Sequence, residues 1–223
     1  MVVKRRYESA RRQEQSRQTR RAILDAAGKL FVDPGYAATT LAAVATEAGV
    51  AVQTLYAVFG SKRQLLSDLV DVTLAGDDEP VALPARPFVA EIRALSDPRA
   101  MLTRYAHHLA EVNARQAQVM LALAAAATAH PDAAAIWRKN ADERRRGMTM
   151  FAADLAGTGA LRPDLDAEQV ADILWLAMDV RSYDWLVRQR GWSVEQYQRW
   201  YVDTVAGAII AEPAPGHGGE APG

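Results

Sequence analysis

The fold is decided by residues 39–62, which read TTLAAVATEAGVAVQTLYAVFGSK. Apolar residues recur every three or four positions over 41–48 and again over 52–59, which is the spacing of two short amphipathic helices. Thr40 is a suitable N-cap for the first helix, and Gly49 permits the left-handed backbone of a tight turn between them. The pattern predicts a helix-turn-helix, a unit that places its second helix in the major groove of DNA.

Positive charge concentrates at the same end of the chain. Residues 1–63 contain eleven Lys or Arg against five Asp or Glu, a net charge of +6, whereas the remainder contains 15 against 22, a net charge of −7. A basic end on an acidic remainder is typical of a polyanion-binding head. A solvated basic tail is the alternative that charge alone leaves open.

The rest of the chain also shows helical periodicity, with no sustained alternation of β-branched residues. Pro34-Gly35 ends a first helix that starts near residue 15, and a capping box at Ser61 and Gln64 opens the helix that follows the helix-turn-helix. Asp166 with Gln169 and Ser193 with Gln196 form two further capping boxes. Later helices are predicted at about 87–95, 98–114, 116–129, 132–156, 166–190 and 193–210.

Several classes of protein and of site are disfavoured by composition. The chain has no cysteine, which excludes disulfides and thiolate chemistry. No apolar run is long enough for a membrane span, and the basic start leads into no apolar signal segment, so we expect a cytoplasmic protein. His107, His108 and Glu111 have helical spacing but no evident third metal ligand, so we expect no metal and no cofactor. We find no nucleophile elbow, phosphate loop or supported carboxylate pair, and therefore predict no enzyme.

The second helix of the helix-turn-helix exposes the side chains that would read DNA. Gln53 can make a bidentate contact to adenine, beside small neighbours that can touch a thymine methyl. Tyr56 and Lys62 are candidates for phosphate contacts, Lys62 because it stands at a helix N-terminus. A purely structural helix-turn-helix is the alternative. The predicted DNA-binding residues are Arg20, Arg21, Thr40, Ala51, Gln53, Thr54, Tyr56 and Lys62.

Residues Thr19 to Leu66 resemble the TetR family of bacterial regulators. The matching residues are Ile23, Ala26-Ala27, Leu30-Phe31, Gly35-Tyr36, Thr39-Thr40, Ala48-Gly49-Val50, Thr54-Leu55-Tyr56, Phe59 and Ser61-Lys62. The resemblance implies an all-α homodimer, with a three-helix head and a variable helical body for ligand binding and dimerisation, about nine helices in all. This chain departs from the family by carrying Ala51 where members commonly have a Ser or Thr cap, which predicts a looser recognition helix.

The sequence thus predicts four parts. These are a disordered basic arm (1–14), a helix-turn-helix DNA-binding domain (15–75), a helical ligand-binding and dimerisation domain (86–211) and a disordered tail (212–223). The helices at about 166–190 and 193–210 carry more large apolar residues than one core face needs, which favours an isologous dimer built from their pairing. Burial within one subunit is the alternative.

A ligand pocket is expected among the middle helices, because methionine and aromatic side chains make adaptable apolar walls. Core packing is the alternative role for each candidate. The candidates are Tyr105, His108, Met120, Leu123, Met148, Phe151, Trp175, Met178, Asp179 and Tyr183.

These features together predict a transcriptional repressor. It would bind a pseudo-palindromic operator in double-stranded DNA and release it when a small apolar effector binds. The alternative is a helical dimeric interaction protein with weak, non-specific DNA binding.

Overall fold

Helices account for every regular element of the described chain. The structure, a computed structural model, describes residues 2–76 and 85–211, and for residues 2–10 it describes the backbone alone. Within these ranges the only strand-like contact is an isolated antiparallel bridge between Leu161 and Ile210. The prediction of an all-α fold is confirmed.

Two predicted segments fall where the structure gives no description. The tail predicted at 212–223 lies outside the described residues, and so does most of the loop predicted between Gly76 and Pro87. The helices on either side of that loop are described and are given below.

The head consists of four helices. They are α1 (Val2–Leu30), α2 (Leu41–Glu47), α3 (Val52–Phe59) and α4 (Lys62–Ala75). A wide helical turn over Phe31–Gly35 separates α1 from α2, and its helical backbone is interrupted at Asp33. The bounds of α2, α3 and α4 follow the periodicity and the caps that predicted them.

The remaining helices follow residues 77–84, which lie outside the described ranges. They are α5 (Pro87–Arg93), α6 (Pro98–Ala127), α7 (Pro131–Ala156), α8 (Ala167–Ala177), the single turn α9 (Val180–Tyr183) with a π-helical continuation over Asp184–Gln189, and α10 (Val194–Ile209). Two of the three predicted capping boxes, at Asp166 and at Ser193, are present at the starts of α8 and α10. The third is only half formed, because Ser61 accepts from the N–H of Gln64 while the Gln64 side chain donates to Asp68 at 2.6 Å.

The first helix begins at Val2, whereas the sequence predicted a disordered arm over 1–14. The physical reason is that this stretch contains neither proline nor glycine before Gly28 and is rich in good helix formers. Glu14 also pairs with Arg17 at 2.8 Å and accepts a hydrogen bond from Gln18 at 3.1 Å, which are neighbours one turn along the helix.

Two predicted boundaries in the later helices were wrong. The helices expected at 98–114 and 116–129 are one continuous helix, α6, because no glycine or proline occurs between Pro98 and Pro131. The helix expected at 166–190 instead stops at Ala177. Asp179 accepts a hydrogen bond from the backbone N–H of Arg181 at 2.8 Å and so caps a new helical segment.

The chain folds into two compact units that are not two continuous segments. Among the described residues, the first unit contains 2–76 and 112–140, and the second contains 85–111 and 141–211. The compact division therefore differs from the predicted domains in one respect. The hairpin made by the end of α6 and the start of α7 groups with the head, although the sequence assigned it to the body.

The core of the first unit lies where the head helices meet. In this unit α1 packs on α2 and α4, and α3 packs on α2 and α4. Each large aliphatic side chain that becomes fully buried stabilises the fold by about 1.5–3 kcal/mol. Fully buried members of this core include Ile23, Val44, Leu55, Leu65 and Leu66, with Met120 and Leu123 from the hairpin.

The core of the second unit is built largely on α10, which packs on α8. Its fully buried members include Leu102, Leu155, Val170, Leu174, Tyr197, Tyr201 and Val205. Tyr183 and Tyr197 meet edge to face, with ring centroids 5.1 Å apart.

Membrane-spanning potential is low among the described helices. None is by itself both long enough and apolar enough to cross a membrane, and only the bent pair α2 and α3 meets those criteria of length and composition.

Candidate nucleic-acid interface

The two short helices of the head have the geometry of a helix-turn-helix. The axes of α2 and α3 turn through 110°, within the range of about 90–120° typical of the motif. Thr40 caps α2 by accepting a hydrogen bond from the backbone N–H of Ala43 at 3.1 Å. Gly49 adopts a φ of +67° in the turn, a conformation that glycine reaches without a steric penalty.

The side chains of α3 divide into an inner and an outer face. Leu55 and Phe59 are buried, with exposed fractions of 0% and 3%. Gln53, Thr54 and Ala57 are exposed on the opposite side. The polar side chains that the sequence predicted to face bases therefore point away from the core of the head.

Ala51 occupies the N-cap position of α3. Its backbone is extended, with φ −69° and ψ 142°, and it makes no side-chain capping hydrogen bond. The adjacent helix α4 shows what such a cap supplies, because the Ser61 hydroxyl accepts a hydrogen bond from the N–H of Gln64 at 3.1 Å. The N-terminus of the recognition helix therefore lacks a stabilising contact that its neighbour has.

The joint between α1 and α2 is held by a buried threonine. Thr39 is 3% exposed. Its hydroxyl lies 2.6 Å from the carbonyl oxygen of Leu30 and 2.8 Å from that of Gly35, and donates to this pair. Thr39 directly precedes Thr40, the N-cap of α2, so its hydrogen bonds join the end of α1 to the start of α2.

Lys62 is folded against the head. Its ammonium donates a hydrogen bond to the carbonyl oxygen of Tyr36 and lies 4.2 Å from the centroid of the Tyr36 ring, a cation–π contact. Burial lowers the pKa of Lys62. The ammonium has three N–H donors, so a phosphate contact by Lys62 must share the group with Tyr36.

The two arginines predicted to contact phosphates differ in their surroundings. Arg20 forms an ion pair with Asp68 at 2.9 Å and stacks 4.8 Å from the centroid of the Phe59 ring. Its pair is partly buried, so the side chain already has a role in holding α1 to α4. Arg21 is exposed, and among the two it is better placed to reach a phosphate.

The head also contacts the hairpin within the first unit. The ring of His130 meets that of Tyr36 edge to face, with centroids 5.5 Å apart. Arg63 lies 3.6 Å from Asp132, and Lys139 lies 3.7 Å from Asp71. Exposed pairs at such distances contribute little stability individually, so the aromatic contact is the main anchor here.

The predicted pocket residues are distributed over both units. Met120 and Leu123 are buried in the first unit, and the other eight belong to the second. Tyr105 lies at the centre of the second group. Its ring is 5.0 Å from that of Phe151, and its hydroxyl is 3.7 Å from Sδ of Met178.

Two other pocket candidates are already engaged. His108 stacks on Phe88 with ring centroids 3.6 Å apart. Asp179 is paired with Arg181 at 3.1 Å. Neither contact assigns these residues to a ligand site, and their predicted role stays a prediction.

The sequence reasoning missed Arg144, which lies beside Tyr105 and Met178 in the second unit. Its guanidinium donates to the carbonyl oxygen of Met178 at 3.5 Å. The available signal was its spacing, because residues 144, 148, 151 and 155 share one face of a helix, and the last three are buried. That signal is weak, because Arg144 begins a run of three arginines at 144–146 and such a run is more typical of a solvated face.

Metal ligands are not clustered in this part of the molecule. Among the described residues, no three His, Asp or Glu side chains come close enough together to hold a metal ion.

The head matches a known family. The model of the bacterial regulatory proteins of the tetR family matches residues 23–69, a range that contains the helix-turn-helix, the end of α1 and the first part of α4. The head of this chain is therefore a helix-turn-helix DNA-binding domain of the TetR type.

Solved structures extend the similarity in fold to the rest of the chain. A transcriptional regulator from Saccharomonospora viridis in complex with choline is 23% identical, with a TM-score of 0.62 over 86% of this chain and 98% of that one. A TetR-family regulator from Rhodococcus sp. is 19% identical, with a TM-score of 0.65 over 87% and 99%. The ketosteroid transcriptional regulator of Mycobacterium tuberculosis is 21% identical, with a TM-score of 0.57 over 86% and 95%. Among curated protein sequences, no significant match was found.

Proposed function

We propose that this protein is a ligand-responsive repressor of the TetR family that binds a pseudo-palindromic operator as a homodimer. The observation that carries the proposal is the outer face of α3, where Gln53 and Thr54 are exposed on a helix whose inner side is anchored by Leu55 and Phe59. A helix that is anchored on one side and presents polar side chains on the other is suited to reading base edges.

Base readout would depend mainly on Gln53. A glutamine amide can pair with the N6 and N7 edge of adenine, and the exposed Ala57 beside it leaves room for a base or a thymine methyl. Tyr56, which is 53% exposed, can donate its hydroxyl to a phosphate. Arg21 and Thr40 are exposed as well and would add backbone contacts.

Dimer formation is supported by apolar side chains that remain exposed in one protomer. Leu176 is 65% exposed and Trp185 is 58% exposed, and both lie in the segment from which the sequence predicted a dimer. Large exposed apolar side chains in one region mark a protein interface more often than a solvated face. Binding to a pseudo-palindromic operator would require the two recognition helices of such a dimer to lie about 34–36 Å apart, one turn of B-DNA.

An effector would act by binding one conformation of the dimer more tightly than another. Helices α6 and α7 each contribute residues to both compact units, so a shift of either helix would reach the first unit through the chain itself. Leu65, Leu66 and Leu69 of α4 are buried in that unit, which makes α4 the proposed lever.

The similar structures are associated with chemically different small molecules. One was solved with choline, another is a ketosteroid regulator, and a third, from Bacillus halodurans, is a fatty acid degradation regulator. This variety supports a small-molecule effector for the present chain and leaves its chemical class to be argued from the chain's own residues.

The test is a gel-shift titration with the DNA upstream of the protein's own gene and of its neighbours, against scrambled DNA of equal length. We expect specific retardation at nanomolar protein and a protected, approximately two-fold symmetric footprint. Equal affinity for operator and scrambled DNA at physiological salt would overturn the proposal and favour a protein that binds DNA only through charge.

A further inference from the structure

Three buried polar atoms of the second unit have no hydrogen-bond partner within the part of the chain that the structure describes. They are Nε of Arg144, Nε1 of Trp175 and the hydroxyl oxygen of Tyr201. Buried polar groups in folded proteins are nearly always hydrogen-bonded, so a local group of unpaired donors points to a missing partner. Each of the three can donate a hydrogen bond.

No ion pair joins Arg144 to a carboxylate among the described residues. Asp179 acts on Arg144 electrostatically, and the oxygens of Asp179 are occupied by Arg181. Asp179 accepts from the backbone N–H of Arg181 at 2.8 Å and from the Arg181 guanidinium at 3.1 and 3.2 Å. Arg144 itself donates only to the neutral carbonyl oxygen of Met178, at a long 3.5 Å.

Tyr105 is the common neighbour of Arg144 and Tyr201, two of the three residues with an unpaired donor. The ring of Tyr105 lies 5.9 Å from that of Tyr201, and its hydroxyl contacts Met178, whose carbonyl accepts from Arg144. Trp175 precedes Met178 by three residues, which places the two on the same side of the helix end. Burial raises the pKa of Tyr105 and of Tyr201, so both phenols are neutral.

The side chains that surround Tyr105 are apolar. Phe151 stacks near Tyr105, and Met148 is buried one turn before it on α7. An isolated cation among aromatic and thioether groups is costly unless an anion meets it. The chemistry of the cluster is therefore one positive charge, neutral donors and an apolar surround.

We propose that Arg144, Trp175 and Tyr201 bind the carboxylate of an effector whose remaining body is apolar. Arg144 supplies the charge, and the indole and phenol donate to the same carboxylate. A single guanidinium matches one negative charge, which favours a carboxylate over a phosphate dianion. This inference rests on the proposed function, because it assigns the effector class of the proposed regulator.

The test compares matched probes on the full-length protein by isothermal titration calorimetry. The first set is octanoate, octanol and octylammonium, and the second is phenylacetate with its neutral isostere phenylacetamide. We expect at least one carboxylate to bind about tenfold or more tightly than its neutral partner, the size of effect expected from a charge-assisted hydrogen bond. Octylammonium should bind more weakly than octanol.

Variants of Arg144 and Trp175 test whether these side chains cause the preference for the carboxylate probe. In Arg144→Gln the preference for the carboxylate should fall to within about twofold of the neutral probe, and Trp175→Phe, which keeps the aromatic body, should weaken carboxylate binding several-fold. Arg146→Gln is the matched control, because Arg146 lies on the same helix and is exposed; it should behave as the unmodified protein. Equal binding of charged and neutral probes, binding of octylammonium in preference, absence of carboxylate binding, or an unchanged preference in Arg144→Gln would each overturn the inference.

The carboxylate-binding test and the operator-binding test can fail independently of each other. Specific operator binding is measured in the absence of any probe, so it succeeds or fails independently. Operator binding without carboxylate binding would leave the regulator intact and remove the assigned effector class. Carboxylate binding by a protein that shows no operator preference would remove the repressor proposal and leave the site.

Discussion

At the scale of single residues, Ala51 decides how firmly the recognition helix is held before it meets DNA. It occupies the N-cap of α3 without a capping hydrogen bond, so backbone N–H groups of the first turn lack the partner that Ser or Thr would provide. A phosphate oxygen at that helix end would supply the missing acceptor. We therefore expect DNA binding to order the N-terminus of α3.

Ala51→Ser should stabilise the protein by about 1 kcal/mol, because the new hydroxyl can accept from the first turn of α3. The measurement is urea denaturation of the full chain, with unfolding monitored by circular dichroism. Ala57→Ser is the control, since Ala57 is an exposed interior position of the same helix and gains no cap there. No difference between the two variants would mean that Ala51 does not limit the stability of α3.

Gln53 and Lys62 should affect DNA binding in different ways. Gln53→Ala should reduce the preference for operator over scrambled DNA by about 1–3 kcal/mol, because it removes a base contact. Lys62→Ala should weaken binding to both DNAs and reduce the slope of log affinity against log salt by about one. Gel-shift titrations at several salt concentrations measure both effects. An unchanged slope in Lys62→Ala would indicate that its ammonium stays on the Tyr36 carbonyl and does not reach phosphate.

At the scale of elements, the orientation of the helix-turn-helix depends on the joint between α1 and α2. Thr39 is buried there and donates to carbonyl oxygens of Leu30 and Gly35. Arg20 adds a second tie, because it pairs with Asp68 of α4 while stacking on Phe59 of α3. These contacts connect all the helices of the head without involving the outer face of α3.

Thr39→Val should destabilise the head by about 1–2 kcal/mol, since it replaces a buried hydroxyl by a methyl group of similar shape and leaves carbonyl oxygens without that donor. Thermal or urea unfolding measures the loss. Thr46→Val is the matched control, because the Thr46 hydroxyl donates to the Ala42 carbonyl at 3.0 Å on the exposed side of α2. A loss of equal size in both variants would show that the effect comes from replacing a threonine by valine in general and not from the buried hydrogen bonds of Thr39.

At the scale of the whole molecule, two copies are needed for the proposed operator binding. The exposed Leu176 and Trp185 are the features of one protomer that best explain an interface. A surface of that kind is disrupted by a single buried charge, because an unpaired carboxylate in an apolar contact is strongly unfavourable.

Leu176→Asp should therefore dissociate the dimer and weaken operator binding at least tenfold, since each protomer then reaches only one half-site. Light scattering should show the mass fall from twice 24.3 kDa to 24.3 kDa. Leu95→Asp is the control, because Leu95 is an apolar residue with 37% exposure outside the predicted dimer helices. A dimer that survives Leu176→Asp would place the interface elsewhere.

The helices of the head were predictable because their signals are local. Thr40, Gly49 and Ser61 mark the ends of short helices by cap and turn chemistry that acts within four residues. The inner positions of α3 follow from a period of 3.6 residues alone. The same local reasoning failed at Asp179, where one side chain starts a new helical segment inside an otherwise helical pattern.

The sequence by itself determined the helical class, the helix-turn-helix and the solvent-facing position of Gln53, because periodicity and capping are properties of neighbours along the chain. Only the tertiary structure decided which charged groups are partnered. Arg20 meets Asp68 from 48 positions away, whereas Arg144 is drawn among aromatic side chains with no carboxylate of its own. Such pairings depend on long-range packing, which local periodicity does not encode. They distinguish Arg20, which stabilises the head, from Arg144, which we propose binds the effector.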